Sequence, residues 1–375
     1  MEKSERAKII SRTGLIGIFT NVGLTIIKVV FGLLAFSLAM VIDSINNLTD
    51  ALSSTVTVIG NKLAHKEPNK KHPFGYGRIE YIASFIVSGI ILATAALTIY
   101  ESINKIISPD ETNYTIITII MISITIVVKI VLGLYTRAKA KKTDSIALKG
   151  SGTDALFDAL ITTATLVGAI VSMLLSVKIE GYLGILISIF IAKTGVEMIL
   201  ETTNLLIGKR YDKDTSNMVI KTVEQFPEVL GVYDVYLNDY GPEKTIGSLH
   251  IEVSGSLDAN QIDELTRKIT MAVYVECNVI VTVGIYAVDD GNEESMKLRE
   301  GIYETILGHE GVLQVHGYHL YKEKNLVSVD TVVSFDVKDK KALFAHLQND
   351  LKEKYPEYSF MLVQDLDAID LTKDN

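Results

Sequence analysis

The chain has 375 residues, of which 48% are hydrophobic and 22% are charged, with a formal net charge of −9. Its mean hydropathy of +0.29 is high for a soluble protein that carries so many charges. Residues 1–211 hold 21 basic and 15 acidic residues, whereas the remainder holds 15 and 30. This composition excludes a single soluble globule and a disordered chain, and the single cysteine excludes a disulfide scaffold.

Six segments of the first part are long and apolar enough to cross a bilayer, which needs about 20 mostly apolar residues per helix. They lie at residues 13–35, 38–63, 79–106, 114–135, 147–177 and 182–206. The first segment is too long for a signal peptide, and five more follow it. We therefore predict a multi-pass α-helical domain of six transmembrane helices over residues 1–211.

The charges of the connecting loops predict the orientation in the membrane. Basic residues precede the first segment and fill the connections after the second and fourth segments. The alternate connections differ, because residues 35–37 are uncharged, 108–113 hold Asp110 and Glu111, and 176–181 hold a single basic residue, Lys178. By the positive-inside rule we expect both termini in the cytoplasm, with the protein in the cell membrane.

From residue 212 the pattern changes to helix, strand, strand, helix, strand, and this order occurs twice. The segment FPEVLGV at 226–232 matches HEGVLQV at 309–315 in position. The predicted elements are 216–226, 229–237, 245–253, 258–275 and 279–288, then 295–307, 312–321, 327–337, 340–354 and 358–364. We expect two α+β units, at 212–290 and 291–375, joined by a linker near 289–294.

Polar residues interrupt two of the predicted spans. The second span carries Asp43, Asn46, Asn47 and Asp50, and the fifth carries Asp154 and Asp158. Asn46 and Asp50 are four residues apart, as are Asp154 and Asp158, so each pair lies on one helix face. Ionisable groups inside a membrane usually mark function. The alternative is a structural role in helix contacts or at a helix break near residues 150–152.

If the two faces meet, four oxygen-donating side chains surround one point. Three carboxylates repel one another in a medium of low dielectric constant, and a cation or protons must offset that cost. This is the chemistry of a site that exchanges a metal ion for protons. Asp43 is interpreted as an entry or supporting residue, or as a structural one. Lys28 and Lys129, also within spans, either snorkel or pair.

These residues resemble the cation diffusion facilitator family of divalent-metal exporters. The resemblance rests on DSINNLTD at 43–50, DALFD at 154–158 and HPFGYGRIE at 72–80. It implies a homodimer, joined through its cytoplasmic and membrane domains, that exchanges metal ions for protons. It also implies a ferredoxin-like fold for the cytoplasmic units, and Asn46, Asp50, Asp154 and Asp158 as ligands of the transported ion, with Asp43 and Asn47 as further candidates.

The expected ligand set contains neither nitrogen nor sulfur donors, whereas zinc members of the family usually place histidine in these helical pairs. Hard oxygen sites suit manganese, while zinc favours histidine and cysteine. The resemblance is therefore to the manganese branch. We expect Mn²⁺ and protons as the transported species, with Fe²⁺, Co²⁺ or Zn²⁺ as alternatives.

Further metal sites found elsewhere in the family are expected to be weak here. His72 remains in the loop after the second span, but Tyr76 and Asn69 stand where other ligands can occur. His250 is the sole histidine of the first α+β unit. In the second unit, His316 and His319 are expected to face opposite sides of a strand, and His309 and His346 to be surface residues.

Other function classes find less support. The chain lacks a Gly-Lys-Ser/Thr phosphate loop and a convincing Ser/His or Cys/His pair, so we predict no enzymatic activity, catalytic residues or cofactor. The acidic C-terminal region has no basic stripe for nucleic acid. The expected partners are a second copy of the chain, the lipid bilayer and divalent cations. A membrane-anchored metal sensor or scaffold stays an alternative.

Overall fold

The computed structural model describes residues 3–34, 38–108, 116–175 and 179–371. The connection at 35–37, most of the connection at 108–113 with Asp110 and Glu111, and Lys178 lie outside the described residues. The chain divides into two compact units. One comprises Met1–Lys209 with Tyr240–Glu243, and the other comprises Arg210–Asp239 with Lys244–Asn375.

Six long helices form the first unit, one for each predicted span. They are α1 (Lys3–Leu34), α2 (Leu38–Ala64), α3 (Ile79–Ile107), α4 (Ile116–Thr143), α5 (Ile146–Leu175) and α6 (Glu180–Ile207). Within the described residues, α1, α3, α4 and α6 contain stretches long and apolar enough to cross a membrane. The other two, α2 and α5, carry the Asn and Asp residues of the predicted ligand set. Large apolar side chains such as Phe19, Leu97 and Phe190 are exposed on the helices, as a lipid-facing surface requires.

Small residues let the helices approach one another closely. Gly60 of α2 lies against Ala83 of α3, where an added Cβ would collide with the Ala83 side chain. A Cβ at Gly133 of α4 would lie 2.7 Å from Leu156 and 3.0 Å from the carbonyl oxygen of Gly152, both in α5. Such contacts are typical of membrane helices, whose association depends on packing and not on the hydrophobic effect. They hold α5 directly against α4.

A buried ion pair joins the ends of three helices. The Arg6 guanidinium donates two hydrogen bonds of 2.8 Å to the Glu80 carboxylate and one of 2.8 Å to the carbonyl of Thr143. This bidentate geometry is the strongest form of a charge-assisted hydrogen bond. It links the N-terminal part of α1 to the start of α3 and the end of α4.

The second unit contains the predicted repeat. Its first half comprises α7 (Lys213–Val223), β1 (Val229–Asp239), β2 (Thr245–Ser254), α8 (Ala259–Cys277) and β3 (Val279–Val288). Its second half comprises α9 (Glu293–Leu307), β4 (Val312–Tyr321), β5 (Leu326–Val333), α10 (Lys340–Lys354) and β6 (Ser359–Asp365). The fold class, six helices followed by α+β units, is confirmed. The division of this region at residue 290 stays a prediction.

The two sheets have the same order and the same irregularity. In each sheet the first two strands are antiparallel and the last two are parallel, with orders β1-β2-β3 and β4-β5-β6. Val229 pairs with Val253 in one sheet, and Val312 pairs with Val333 in the other. Both first strands have a bulge at the equivalent place, after Tyr233 and after His316. This shared register shows that the sequence match reflects a structural repeat.

Each sheet packs its helices over a separate apolar core. Leu249, Ile251 and Ile269 are fully buried in the first core, and Val327 and Leu347 in the second. Local signals set several element ends. For example, α7 begins earlier than predicted, because the Asp212 carboxylate accepts a hydrogen bond from the Thr215 N–H. The strand predicted at 327–337 ends at Val333, because the chain turns at Ser334, whose carbonyl accepts a hydrogen bond from the Val337 N–H and whose hydroxyl oxygen accepts one from the Asp336 N–H.

Candidate metal centre

Three carboxylates of α2 and α5 meet inside the helical unit. Asp50 is 8% exposed and Asp154 is 3% exposed, and Asp158 is partly buried beside them. One carboxylate oxygen of each residue lies within 4.8 Å of the others. The two residues of α5 reach the same point because they are one helical turn apart. The structure therefore brings together the three acidic members of the predicted ligand set.

A lysine from α4 lies between these carboxylates. The Lys129 ammonium, which is 1% exposed, donates to Asp50 Oδ2 and, at 2.7 Å, to Asp158 Oδ2. The sequence left open whether Lys129 snorkels to the membrane surface or pairs with an acidic residue, and in the structure it pairs. Its importance for the site was missed, although the signal is present, since it is the sole charged residue between Ile116 and Thr136. An isolated cation within an apolar span needs a buried partner.

Hydroxyl groups connect α2 and α5 one turn away from the carboxylates. Ser151 Oγ lies 3.4 Å from Ser53 Oγ and 3.5 Å from Thr57 Oγ1. Such interhelical hydrogen bonds stabilise packed membrane helices, because lipid offers no alternative partner. They hold the Asp50 and Asp154 faces against each other.

A cavity of about 90 Å³ lies beside the cluster. Its lining includes Asn46, Asn47, Asp50, Lys129 and Asp158. This volume exceeds the space that one water molecule needs, and its polar lining offers several partners for water or an ion.

The predicted supporting residues have different positions. Asn46 is exposed and lines the cavity, whereas Asn47 is 2% exposed and its Nδ2 has no hydrogen-bond partner among the described residues. An unpaired buried amide is costly, and a ligand or water in the cavity would satisfy it. Asp43 lies in α2, but its side chain is outside the described residues.

His72 has no other candidate ligand grouped with it in the described part of the chain. It is exposed, and its ring lies 4.4 Å from that of Tyr76. Tyr76 and Asn69 stand where the family resemblance would allow further ligands, and Asn69 donates a 2.6 Å hydrogen bond to the Tyr76 hydroxyl. These two side chains thus satisfy each other, and the expectation that this loop site is weak stays a prediction.

His250 belongs to a polar network between the two α+β repeats. Its Nδ1 lies 2.9 Å from Asp234 Oδ2, at an angle that does not make a hydrogen bond, whereas Asp234 accepts hydrogen bonds of 2.9 Å from His316 Nε2 and 2.6 Å from the Tyr286 hydroxyl. The fully buried His316 also approaches Asp365 of the second repeat, at 3.5 Å. The histidines of the two repeats therefore share a carboxylate.

The network perturbs two carboxyl groups in opposite directions. Burial by itself raises the pKa of Asp234, but hydrogen bonds from His316, Asp365 and Tyr286 outweigh it and hold that pKa well below its usual range. Burial, together with the shared hydrogen bond to Asp234, raises the pKa of Asp365. One proton between the two carboxyl groups explains both directions.

The histidines of the second repeat depart in part from expectation. His346 is exposed as predicted, but the side chain of His309 is only 16% exposed and lies beside Asp350. His316 is fully buried and His319 is exposed, and the bulge between them is formed at Gly317, whose φ is +65°. Glycine adopts this backbone conformation without the steric cost of a Cβ.

Comparison with known proteins identifies the family. Residues 14–207 match the model of the cation efflux transmembrane domain. The chain belongs to the cation efflux family. It is therefore a multi-pass membrane protein that transports divalent cations outward, and it is not an enzyme.

Individual relatives of this cation efflux protein are distant. Manganese efflux system protein MneS of Bacillus subtilis is 26% identical over 72% of this chain and 92% of its own length. Magnetosome protein MamB of Paramagnetospirillum magneticum is 28% identical over 57% and 72%. Cation-efflux pump FieF of Shewanella oneidensis is 22% identical over 66% and 83%. At such identities the transported metal does not carry over from a relative.

Proposed function

We propose that this cation efflux protein exports Mn²⁺ from the cytoplasm in exchange for protons, and that it works as a homodimer. The observation that carries the proposal is the buried cluster of Asp50, Asp154 and Asp158. Its donors are oxygen atoms, which suit Mn²⁺ better than they suit Zn²⁺. The likeness to a manganese efflux protein agrees with this choice.

The ion would bind to the three carboxylates, with Asn46 as a neutral oxygen ligand at the cavity. Asn47 would orient the site from α2, and Asp43 would attract cations toward it. A divalent cation must displace the Lys129 ammonium from Asp50 and Asp158, because these oxygen atoms cannot serve both cations at once. The lysine thus replaces part of the lost positive charge whenever the ion leaves.

Coupling to protons follows from the ligand chemistry. Carboxylates bind a metal ion in their ionised form, so protons that reach them compete with the ion. Rocking of the helices would expose the cluster first to the cytoplasm and then to the outside. There protonation would release Mn²⁺, and the return step would carry the protons inward.

The orientation is inferred from the loop charges. Basic residues such as Lys70, Lys71 and Lys141 lie in the connections after α2 and α4 or at their ends. The positive-inside rule then places both termini and the acidic α+β repeats in the cytoplasm. The homodimer is carried over from the family resemblance.

The decisive experiment uses purified protein in liposomes with a pH-sensitive dye inside. Addition of Mn²⁺ should drive proton flux in the opposite direction, with smaller responses to Zn²⁺, Fe²⁺ and Co²⁺. The substitution Asp154→Asn keeps the size of the side chain but removes its charge. We expect it to lower Mn²⁺-dependent flux at least about tenfold. Substitution of residues that only hydrogen-bond to metal ligands already has effects of this size.

The matched control is Glu197→Gln on α6. The Glu197 carboxylate is 63% exposed and lies 3.8 Å from the Lys193 ammonium. This variant should transport like the unsubstituted protein. A response to Zn²⁺ alone would overturn the choice of manganese. Equal flux in Asp154→Asn and the parent would overturn the carboxylate site itself, and would favour a membrane-anchored sensor or scaffold.

A further inference from the structure

A second group of metal-binding side chains lies in the second α+β repeat. His309 follows α9, while His346 and Asp350 are one turn apart on α10. One ligand atom of each residue lies within 4.8 Å of the others. The sequence alone suggested two isolated surface histidines, and the packing of α9 beside α10 brings them together.

The hydrogen bonds of His309 direct one ring nitrogen toward this group. Its Nδ1 lies 2.9 Å from the carbonyl oxygen of Thr305. A carbonyl can only accept a hydrogen bond, so Nδ1 carries the hydrogen. Nε2 then points at Asp350 Oδ2, 3.0 Å away. Histidines that bind metals commonly donate from one nitrogen to a carbonyl in this way and coordinate through the other.

Asp350 lies close to both histidines, with a different carboxylate oxygen facing each ring. His346 Nδ1 lies 3.5 Å from Asp350 Oδ1, and the two imidazole rings are 5.1 Å apart and nearly perpendicular, at 79°. Two atoms that each lie about 2.1 Å from a metal are roughly 3.0 to 3.4 Å from each other at octahedral and tetrahedral angles. The site is also open, since the side chain of His346 is 64% exposed. An ion can therefore enter, and water can fill the remaining positions.

We propose that His309, His346 and Asp350 bind one divalent transition-metal ion of the Co²⁺, Ni²⁺ or Zn²⁺ type. Two imidazole nitrogens and one carboxylate form a ligand set that such ions favour. This set differs from the oxygen cluster of α2 and α5, so the two sites have different metal preferences. The inference does not depend on which metal is transported or on whether transport occurs.

The test is a titration of the full-length, detergent-purified protein with Co²⁺, whose visible absorption bands report its ligands. The titrated protein carries Asp154→Asn, which removes one carboxylate of the membrane cluster, and every further variant is compared with this background. In this background, we expect His346→Ala to remove one bound Co²⁺ per chain by equilibrium dialysis, or to weaken its binding at least about tenfold. Asp350→Asn should have the same effect.

Two features keep the result interpretable. His346 is exposed on a helix, where alanine is a favourable residue, so the variant should retain its circular dichroism spectrum. The matched control is His319→Ala, which removes an exposed histidine of the same repeat that is outside this group. Unchanged Co²⁺ binding in His346→Ala, or an equal loss in His319→Ala, would overturn the proposal. Neither outcome bears on Mn²⁺ flux.

Discussion

Lys129 brings a single positive charge into contact with two of the three clustered carboxylates. Buried charges are expensive to separate from their partners, so removal of one member of such a group costs more than the group itself contributes. The ammonium pairs with Asp50 and Asp158, which are also proposed to hold the transported ion. In the proposed mechanism, the lysine and the metal ion would therefore compete for the same oxygen atoms.

This competition predicts the behaviour of Lys129→Met. The variant should destabilise the metal-free protein by about 3 kcal/mol, because two carboxylates lose their cation. Mn²⁺ should then raise the melting temperature of the variant more than that of the parent, since no tethered ammonium opposes binding. Thermal unfolding in detergent, with and without Mn²⁺, measures both effects.

Lys193→Met is the control for the lysine prediction. Lys193 is exposed on α6, and its side chain is 71% accessible. Its substitution should change the melting temperature little, because exposed ion pairs contribute about 1 kcal/mol or less. If Mn²⁺ raised the melting temperature of Lys129→Met by no more than that of the parent, the competition would be wrong.

At the scale of the helices, the position of the site depends on how closely α4 approaches α5. Gly133 and Gly152 face each other there, and neither could carry a Cβ without displacing its neighbours. The close approach lets Lys129 of α4 reach Asp158 of α5. Small residues at the contact thus affect the carboxylate cluster one turn away, beyond their effect on packing.

The helix contact predicts opposite effects for two Gly→Ala substitutions. Gly133→Ala should lower stability by about 1 to 3 kcal/mol, since its methyl group must displace Leu156 and the Gly152 carbonyl. Gly89→Ala on α3 should be neutral or stabilising by up to about 1 kcal/mol, because no atom lies within 4 Å of its added Cβ. Melting temperature and Mn²⁺ flux should fall together in the first variant only. Equal stability of the two variants would contradict the close approach.

At the scale of the whole molecule, the chain is longer than the relatives it resembles. MneS matches over 92% of its own length but over only 72% of this chain. The second α+β repeat faces the first through the network of Asp234, His316 and Asp365. Asp234 has a φ of +52°, an uncommon conformation for a residue other than glycine. The bulge at this residue directs its carboxylate toward the other repeat.

This network predicts a pH-dependent contribution of Asp234. Since its folded pKa lies below the unfolded value of about 3.9, its stabilisation is fully present above that pH and is lost as the pH falls through the folded pKa. Asp234→Asn, which tolerates the same backbone conformation, should therefore cost about 2 kcal/mol at neutral pH and progressively less below about pH 4.

Hydrogen–deuterium exchange of peptides from β1 and β4, corrected for the intrinsic effect of pH, measures this contribution. The control is Asp263→Asn on α8, whose carboxylate is 62% exposed and pairs with Arg267 on the same helix. This variant should leave exchange in both strands unchanged. A cost of Asp234→Asn that is the same at neutral and acidic pH would show that the charge of Asp234 does not stabilise the junction.

The sequence by itself determined the six helices, the α+β repeat and the acidic residues of the candidate site. The length of an apolar segment, the alternation of apolar and polar residues in a strand and the four-residue spacing of two side chains are local properties. They can therefore be recognised in the amino-acid sequence. The sequence could not determine the partners of Lys129 or the proximity of His309 to His346 and Asp350, because these groups lie far apart in the chain or on different elements. Only tertiary packing decides which charges share a buried space, since the cost of burial depends on every element around it.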